Sequence, residues 1–382
     1  RYDVVVANPP YMGSSNMNGW LSGWTKKRYK EVCKDLCTCF IKRGFSLSDD
    51  RGYEALITSD TCMYISSFEK MRKEVIERTS IVCFIDTRGT NAHPDVFDAN
   101  AGWVLWNHPG ADIKGSYFKL NHPISEKGQR LLEALANPDC GWFYRCSARM
   151  YDDIPGIPIV YWASKAIASA FKKGLPVSSI GQPRQGLATG ENARFVRQWW
   201  EVSLDREWFD CPSIEESVKS GLKWFPYNKG GEYRKWYGNN DCVVNWENDG
   251  KDVRDFKGSV IRNPQCFFKP CITWSKISSG SIAFRYKSAG HVFDVAGTSI
   301  FAEHGRLTYL HGACNSSVIL RIASMLSPTL NFEVGQIAAY PIIIDEDKEE
   351  IVEYLVDENR LLSKADWDSF ELSWDFKRHP ML

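Results

Sequence analysis

Residues 2–7, Tyr-Asp-Val-Val-Val-Ala, form a β-branched apolar run that predicts a buried strand. The run stops at Asn8-Pro9-Pro10-Tyr11, where successive prolines withdraw backbone donors and force a rigid turn. Met12 to Trp24, with Gly13, Gly19 and Gly23, predicts a long glycine-rich loop. From Lys26 to Arg43, Tyr29, Val32, Leu36 and Phe40 recur at helical spacing, and Gly44 is placed to cap that helix. Tyr53 to Thr58 predicts a second strand. Ser66-Ser67-Phe68-Glu69 has the form of a capping box, opening a helix whose inner face is Phe68, Met71, Val75 and Ile76. Ser80 to Asp86 predicts a third strand, and Gly102 to Trp106 a closing antiparallel one. Strand and helix therefore alternate to about residue 125, the order of an α/β sheet.

Asp152 to Pro158 is rich in Pro and Gly and predicts a domain boundary. A helix is expected beyond it, with Trp162, Ala166, Ile167, Ala170 and Phe171 on one face and Gly174 at its end. From there to about 345 the pattern is irregular and β-like, with many Gly, Trp and Lys/Arg residues, and predicts a mixed α+β region. Asp345 to Leu382 reads as an acidic helix followed by an aromatic tail. The expected organisation is 1–150, 151–345 and 346–382, which 382 residues are enough to fill.

Charge changes this picture little. Lys plus Arg and Asp plus Glu number 47 each, so any nucleic-acid contact must rest on local charge. The 15 Trp and 16 Tyr suit stacking on bases, and equally a large aromatic core. Of 12 Cys, only Cys33, Cys37 and Cys39 cluster; they lack CxxC spacing and a nearby His, so scattered reduced thiols and no metal site are expected. No stretch has the length of a membrane span and the amino end has no signal-peptide pattern, which predicts a cytoplasmic protein without membrane partners.

The candidate chemistry is at the first turn. It sets an amide, a carbonyl and a ring at a strand's carboxyl end, where open α/β sheets hold ligands. The Asn8 side-chain oxygen and the Pro9 carbonyl can accept from an exocyclic NH2, and Tyr11 can stack on its ring. A plain proline turn is the alternative for Asn-Pro-Pro by itself. A strand followed by Asn8-Pro9-Pro10-Tyr11 resembles the catalytic motif of the amino-directed DNA methyltransferases, which make N6-methyladenine or N4-methylcytosine. The resemblance implies Asn8, Pro9, Pro10 and Tyr11 as catalytic residues and S-adenosylmethionine as cofactor. It also implies a partial Rossmann-like class I methyltransferase sheet followed by a mixed α+β target-recognition domain. In such enzymes an earlier strand and glycine-rich turn hold the cofactor; Gly230-Gly231 and the stretch around Gly280 lack the flanking strand and helix to replace them. Only Arg1 precedes the catalytic strand, so the main cofactor site is expected upstream of Arg1, and no cofactor-binding residue is assigned within the chain. The chain is therefore expected to begin within its catalytic domain and to bind S-adenosylmethionine weakly or not at all alone.

Later stretches resemble the target-recognition region of adenine-specific methyltransferases, most closely the PglX enzymes of BREX phage-exclusion systems. They are Gly186 to Phe195, with a TGxNxxF-like element; Lys223 to Gly231 and Arg234 to Asn239; Thr273 to Ser278; Asn315-Ser316 with Pro328 to Phe332; and the tail Asp366 to Phe376. The resemblance implies double-stranded DNA with one flipped adenine, and other phage-defence proteins, as partners. Lys223, Lys229, Arg234 and Lys235 lie in a Gly- and aromatic-rich stretch suited to clamping phosphates. Arg184, Thr189, Asn192 and Arg194 surround the TGxN turn, where Asn192 and Arg194 are placed to read base edges. Each could instead be ordinary surface or core. Two other classes stay open: a non-catalytic DNA- or protein-binding module, and an RNA or protein amine methyltransferase, which leaves the large carboxyl region without a reason.

Overall fold

The computed structural model describes residues 1–87, 100–110, 113–278, 280–327 and 331–382. Ser279 and Pro328 to Leu330, part of the resemblance's closing block, lie outside them. Two units divide the chain, 1–172 and 173–382.

The first unit is built on one sheet. Its elements are β1 (Tyr2–Ala7), α1 (Gly19–Arg28), α2 (Leu36–Leu47), β2 (Ser48–Ser59), α3 (Glu69–Arg78), β3 (Ser80–Asp86), β4 (Asn100–Trp106), β5 (Gly115–Lys119), α4 (Ile124–Ala136), β6 (Phe143–Cys146) and α5 (Lys165–Lys173). The strands are ordered β1-β2-β4-β3-β5-β6. β1 runs parallel to β2 and β3 to β5, while β4 is antiparallel to both its neighbours. The α/β expectation therefore holds, with corrections to several elements.

β1 is not buried: as an edge strand it leaves Tyr2, Val4 and Val6 exposed. β4 is antiparallel as expected but does not close the sheet. Alternation places Ala101, Trp103 and Leu105 inside, but says nothing about which strand pairs on each side. The helix expected over Lys26 to Arg43 is two helices, because Asp35 accepts from Cys37 N and starts α2 afresh. Much of the predicted loop is instead α1, and Gly44 lies inside α2, where a Cβ would collide with the Glu54 carboxylate. Ser66–Phe68 is a 3-10 turn and α3 begins at Glu69 without a side-chain cap, although Phe68, Met71, Val75 and Ile76 do form its inner face. The expected face of α5 differs too: Ala168 is its buried residue and Ala166 is exposed.

Aromatic residues fill this unit's core. Phe84 meets Trp103 edge-on at 4.8 Å, and Tyr117 stacks on Tyr161 at 4.9 Å. The core reading of the aromatics thus accounts for these rings.

The second unit contains β7 (Leu175–Pro176), α6 (Val177–Ile180), β8 (Gln182–Arg184), α7 (Asn192–Phe195), β9 (Val196–Gln198), α8 (Ile214–Ser220), β10 (Trp224–Asn228), β11 (Cys242–Asn245) and α9 (Glu247–Arg254). It continues with β12 (Cys271–Thr273), β13 (Arg285–Lys287), β14 (Val292–Phe293), β15 (Ser299–Phe301), α10 (His304–Asn315), α11 (Ser317–Leu326), α12 (Val334–Ala338), β16 (Pro341–Ile342) and α13 (Glu349–Trp367). Two four-stranded sheets, β14-β10-β11-β9 and β13-β12-β15-β8, form its mixed α+β frame. Phe195, Phe225, Trp246, Phe267, Phe268 and Phe293 pack into one buried cluster. The acidic helix is α13, and the tail beyond it packs back on this unit: Trp374 stacks on Phe209 at 4.5 Å.

Candidate active site and nucleic-acid interface

Asn8, Pro9, Pro10 and Tyr11 leave the carboxyl end of β1 beside the end of its parallel neighbour β2. Pro9 is buried while Asn8, Pro10 and Tyr11 are exposed, so one proline anchors the turn and the polar and aromatic groups face outward. The Tyr11 hydroxyl donates to Asn8 Oδ1 at 3.4 Å. Burial, with Cys37, Asp35 and Cys62 nearby, raises the Tyr11 pKa and keeps the phenol neutral. All the motif's peptide bonds are trans among the described residues.

What fixes this turn was not singled out from sequence. Asp35 Oδ1 accepts from Met12 N at 3.3 Å as well as from Cys37 N at 3.0 Å. Leu36 N donates to Met12 O at 3.0 Å, and Ser14 N to Lys34 O at 2.8 Å. One carboxylate thus caps α2 and ties down the residue after Tyr11. Its signal was legible: Asp35 stands two residues before Cys37, which with Ile41 and Phe45 forms an apolar stripe at helical spacing.

Arg72 was also missed. Fully buried on α3, it donates to the carbonyls of Cys62 (2.8 Å), Ile65 (2.9 Å), Gly156 (2.6 Å) and Ile157 (2.9 Å). It therefore holds the segment after β2, which flanks the motif; nothing local marks it. Asp86, at the end of β3, is buried and accepts from the Tyr161 hydroxyl at 2.9 Å. Arg1, the residue before β1, is exposed and pairs with the exposed Asp50 of β2 at 3.0 Å. That contact joins the two parallel strands at their amino ends, away from the motif at the carboxyl end, and Arg1 is no part of the candidate site. The cysteines are free thiols, and no metal-ligating cluster occurs among the described residues. Burial pushes the Cys39 thiol up to about 12, which leaves it inert.

In the second unit, three sequence candidates converge. Thr189 Oγ1 donates to Asn192 Oδ1 at 2.8 Å, and Lys229 Nζ to the same oxygen at 2.9 Å. Lys229 also pairs with the buried Asp294 at 2.8 Å, and Asp294 accepts from the Tyr227 hydroxyl. Gly190 makes the turn possible: its φ is +74°, and a Cβ would meet the Gly258 carbonyl. Arg194 lies over the Phe195 and Phe256 rings, 5.0 and 5.5 Å from their centroids. Arg184 is exposed on β8 and donates to Gln182 at 3.2 Å.

The other candidates stand apart from that cluster. Lys223 is 3.9 Å from Glu247, and Arg234 pairs with Asp366 of α13 at 2.8 Å. Lys235 donates to the Asn315 carbonyl at 3.1 Å. Asn315 itself is buried and braces the Phe284 backbone through both ends of its amide.

Residues 1–93 match the family described as Eco57I restriction-modification methylase. The whole chain is 33% identical to the adenine-specific methyltransferase BrxX of Escherichia coli O9:H4 (strain HS), covering 31% of it. It is 34% identical over its whole length to the adenine-specific methyltransferase PglX of Lacticaseibacillus casei (strain Zhang), covering 32%. The chain thus spans about a third of these relatives. The solved Type IIL restriction-modification enzyme MmeI, in complex with DNA, shares the fold at a TM-score of 0.58 and 10% identity, over 99% of this chain and 52% of that one. Over its whole length the chain is thus similar to one portion of the adenine-specific methyltransferases BrxX and PglX.

Proposed function

We propose that this chain is the motif-bearing and target-recognition portion of a DNA adenine-N6 methyltransferase that marks self DNA in phage defence. The observation carrying the reading is the exposed Asn8–Tyr11 pair at the carboxyl end of β1. A flipped adenine would donate its N6 protons to Asn8 Oδ1 and the Pro9 carbonyl. Asn8 Oδ1 has a second lone pair, so it can keep the Tyr11 hydroxyl while accepting from N6. Two acceptors fix the amine's orientation, and they strengthen as N6 gains positive charge during transfer. The neutral Tyr11 ring would stack on the base.

S-adenosylmethionine would supply the electrophilic methyl group. This chain's groups at β1, two acceptors and a ring, suit the amine rather than the sulfonium. We assign the main cofactor contacts to other parts of the protein. Double-stranded DNA, further phage-defence proteins and a cytoplasmic location go with this reading. Arg184, Thr189, Asn192, Arg194, Lys223, Lys229, Arg234 and Lys235 are the proposed DNA contacts. Domains at 1–150, 151–345 and 346–382 are the proposed organisation.

In the complete enzyme Asn8→Ala should abolish adenine methylation while leaving most DNA affinity, because affinity rests largely on phosphates. Methylation measured on plasmid DNA, beside a binding titration, checks this. Near-normal methylation by the variant would remove the catalytic assignment.

A further inference from the structure

The second unit holds a cleft of about 950 Å³ between residues 204–210, β13, α13 and the tail, which no part of the methylation reading uses. Its walls are aromatic: Trp208, Phe209, Tyr237, Tyr286 and Trp374. Its charge is unbalanced. Arg360 pairs with Asp357 at 3.0 Å and donates to His311 Nδ1 at 3.0 Å. Lys364 is held by Asp375 at 2.7 Å and by Asp368. Both cations are therefore neutralised from within, whereas Asp210 adds an acid to the lining and Glu207 a carboxyl group that burial lifts to about 7, so that a cation entering beside it would draw it into the charged form.

Glu207 is the informative group. It is only 8% exposed, and neither of its carboxylate oxygens has a hydrogen-bond partner. A buried carboxylate left this way costs several times an ordinary hydrogen bond. Arg360 carries a matching vacancy of opposite kind: its Nη2 is buried and makes no hydrogen bond. The cleft thus lacks a two-pronged donor at one wall and an acceptor at another.

We propose that this cleft receives an arginine side chain presented by a partner polypeptide. The planar guanidinium offers two parallel N–H groups to one carboxylate and stacks on aromatic faces, which an ammonium does not do. A backbone carbonyl of the same segment would accept from Arg360 Nη2. Guanine has a comparable pair of donors and acceptors, but a nucleotide's phosphate would meet Asp210, Asp357 and Asp375 of the lining.

The test is a titration of the full chain with the capped peptide acetyl-Gly-Arg-Gly-amide, followed by calorimetry and tryptophan fluorescence. Saturable binding is expected, weakened about tenfold or more for the lysine counterpart. Glu207→Gln and Trp374→Ala should each lose binding by a similar factor; the second, on the tail, serves if the first does not fold. Equal binding of the arginine and lysine peptides, no saturable binding, or binding untouched by the substitutions would overturn the proposal. Free L-arginine binding as tightly as the peptide would assign the cleft to a small molecule. Preference for guanosine monophosphate would assign it to a nucleotide. Either result overturns the polypeptide partner.

Discussion

Glu54 sits on β2 opposite Val5 of the motif strand, 1% exposed, with neither carboxylate oxygen hydrogen-bonded. Burial raises its pKa to about 8, against a weaker opposing pull from Arg78. The unfolded chain releases this proton near the ordinary glutamate value, while the folded chain holds it. Stability from this group is therefore complete below about pH 4.5 and is lost as pH rises towards 8. The loss is on the order of 5 kcal/mol by linkage. Glu54→Gln should flatten that slope and leave the chain more stable than the parent at pH 8.5. Urea midpoints of both proteins at pH 5.5, 7 and 8.5 decide it, and parallel slopes would rule out Glu54 as the source. Gly44 belongs to the same contact, since any side chain there meets the Glu54 carboxylate. Gly44→Ala should destabilise the chain despite alanine's better helix propensity.

At the scale of elements, α2 and the Asn8–Tyr11 turn are joined through Asp35. Asp35→Ala removes a helix cap and the acceptor for Met12 N, and should cost about 1–2 kcal/mol. It should also slow methylation by the complete enzyme more than it weakens DNA binding, because the turn rather than the DNA surface loosens. Asp35→Asn keeps an acceptor at the cap and should recover most of both losses; if it behaves like Ala, the capping role fails. The same junction shows why sequence periodicity misled. Tyr29, Val32, Leu36 and Phe40 keep helical spacing across a break, so their pattern cannot report that the chain restarts at Asp35. By contrast β1, β2, β3 and the inner face of α3 were legible, because local alternation and spacing determine them. The place of β4 was not, since strand order depends on pairing between distant residues. The candidate site divides likewise. Asn8 to Tyr11 is contiguous and could be read directly, whereas Lys229 gains its partner Asp294 from 65 residues away.

For the whole molecule, charge balanced over these 382 residues means that the proposed DNA contacts of this chain would rest on a few local cations. If Lys223, Lys229, Arg234 and Lys235 meet phosphates, replacing each with Ala should lower the salt slope of binding by about one. The fall should be similar on every DNA sequence. Asn192→Ala or Arg194→Ala should instead relax preference at one position, by roughly 1–3 kcal/mol, if either reads a base edge. Binding to a randomised site at several salt concentrations separates the two signatures. Four unchanged slopes would leave these residues to their internal partners Glu247, Asp294, Asp366 and Asn315. The edge position of β1 has a consequence for handling these 382 residues in isolation. Tyr2 to Ala7 is a six-residue apolar segment with a single charge and no proline, and its outer side pairs with no strand among the described residues. Such a segment templates intermolecular cross-β stacking in concentrated solution. Pro9 and Pro10 lack the backbone donors to extend that pairing, so in the isolated chain the residues proposed to hold a base should also limit how far such a template lengthens.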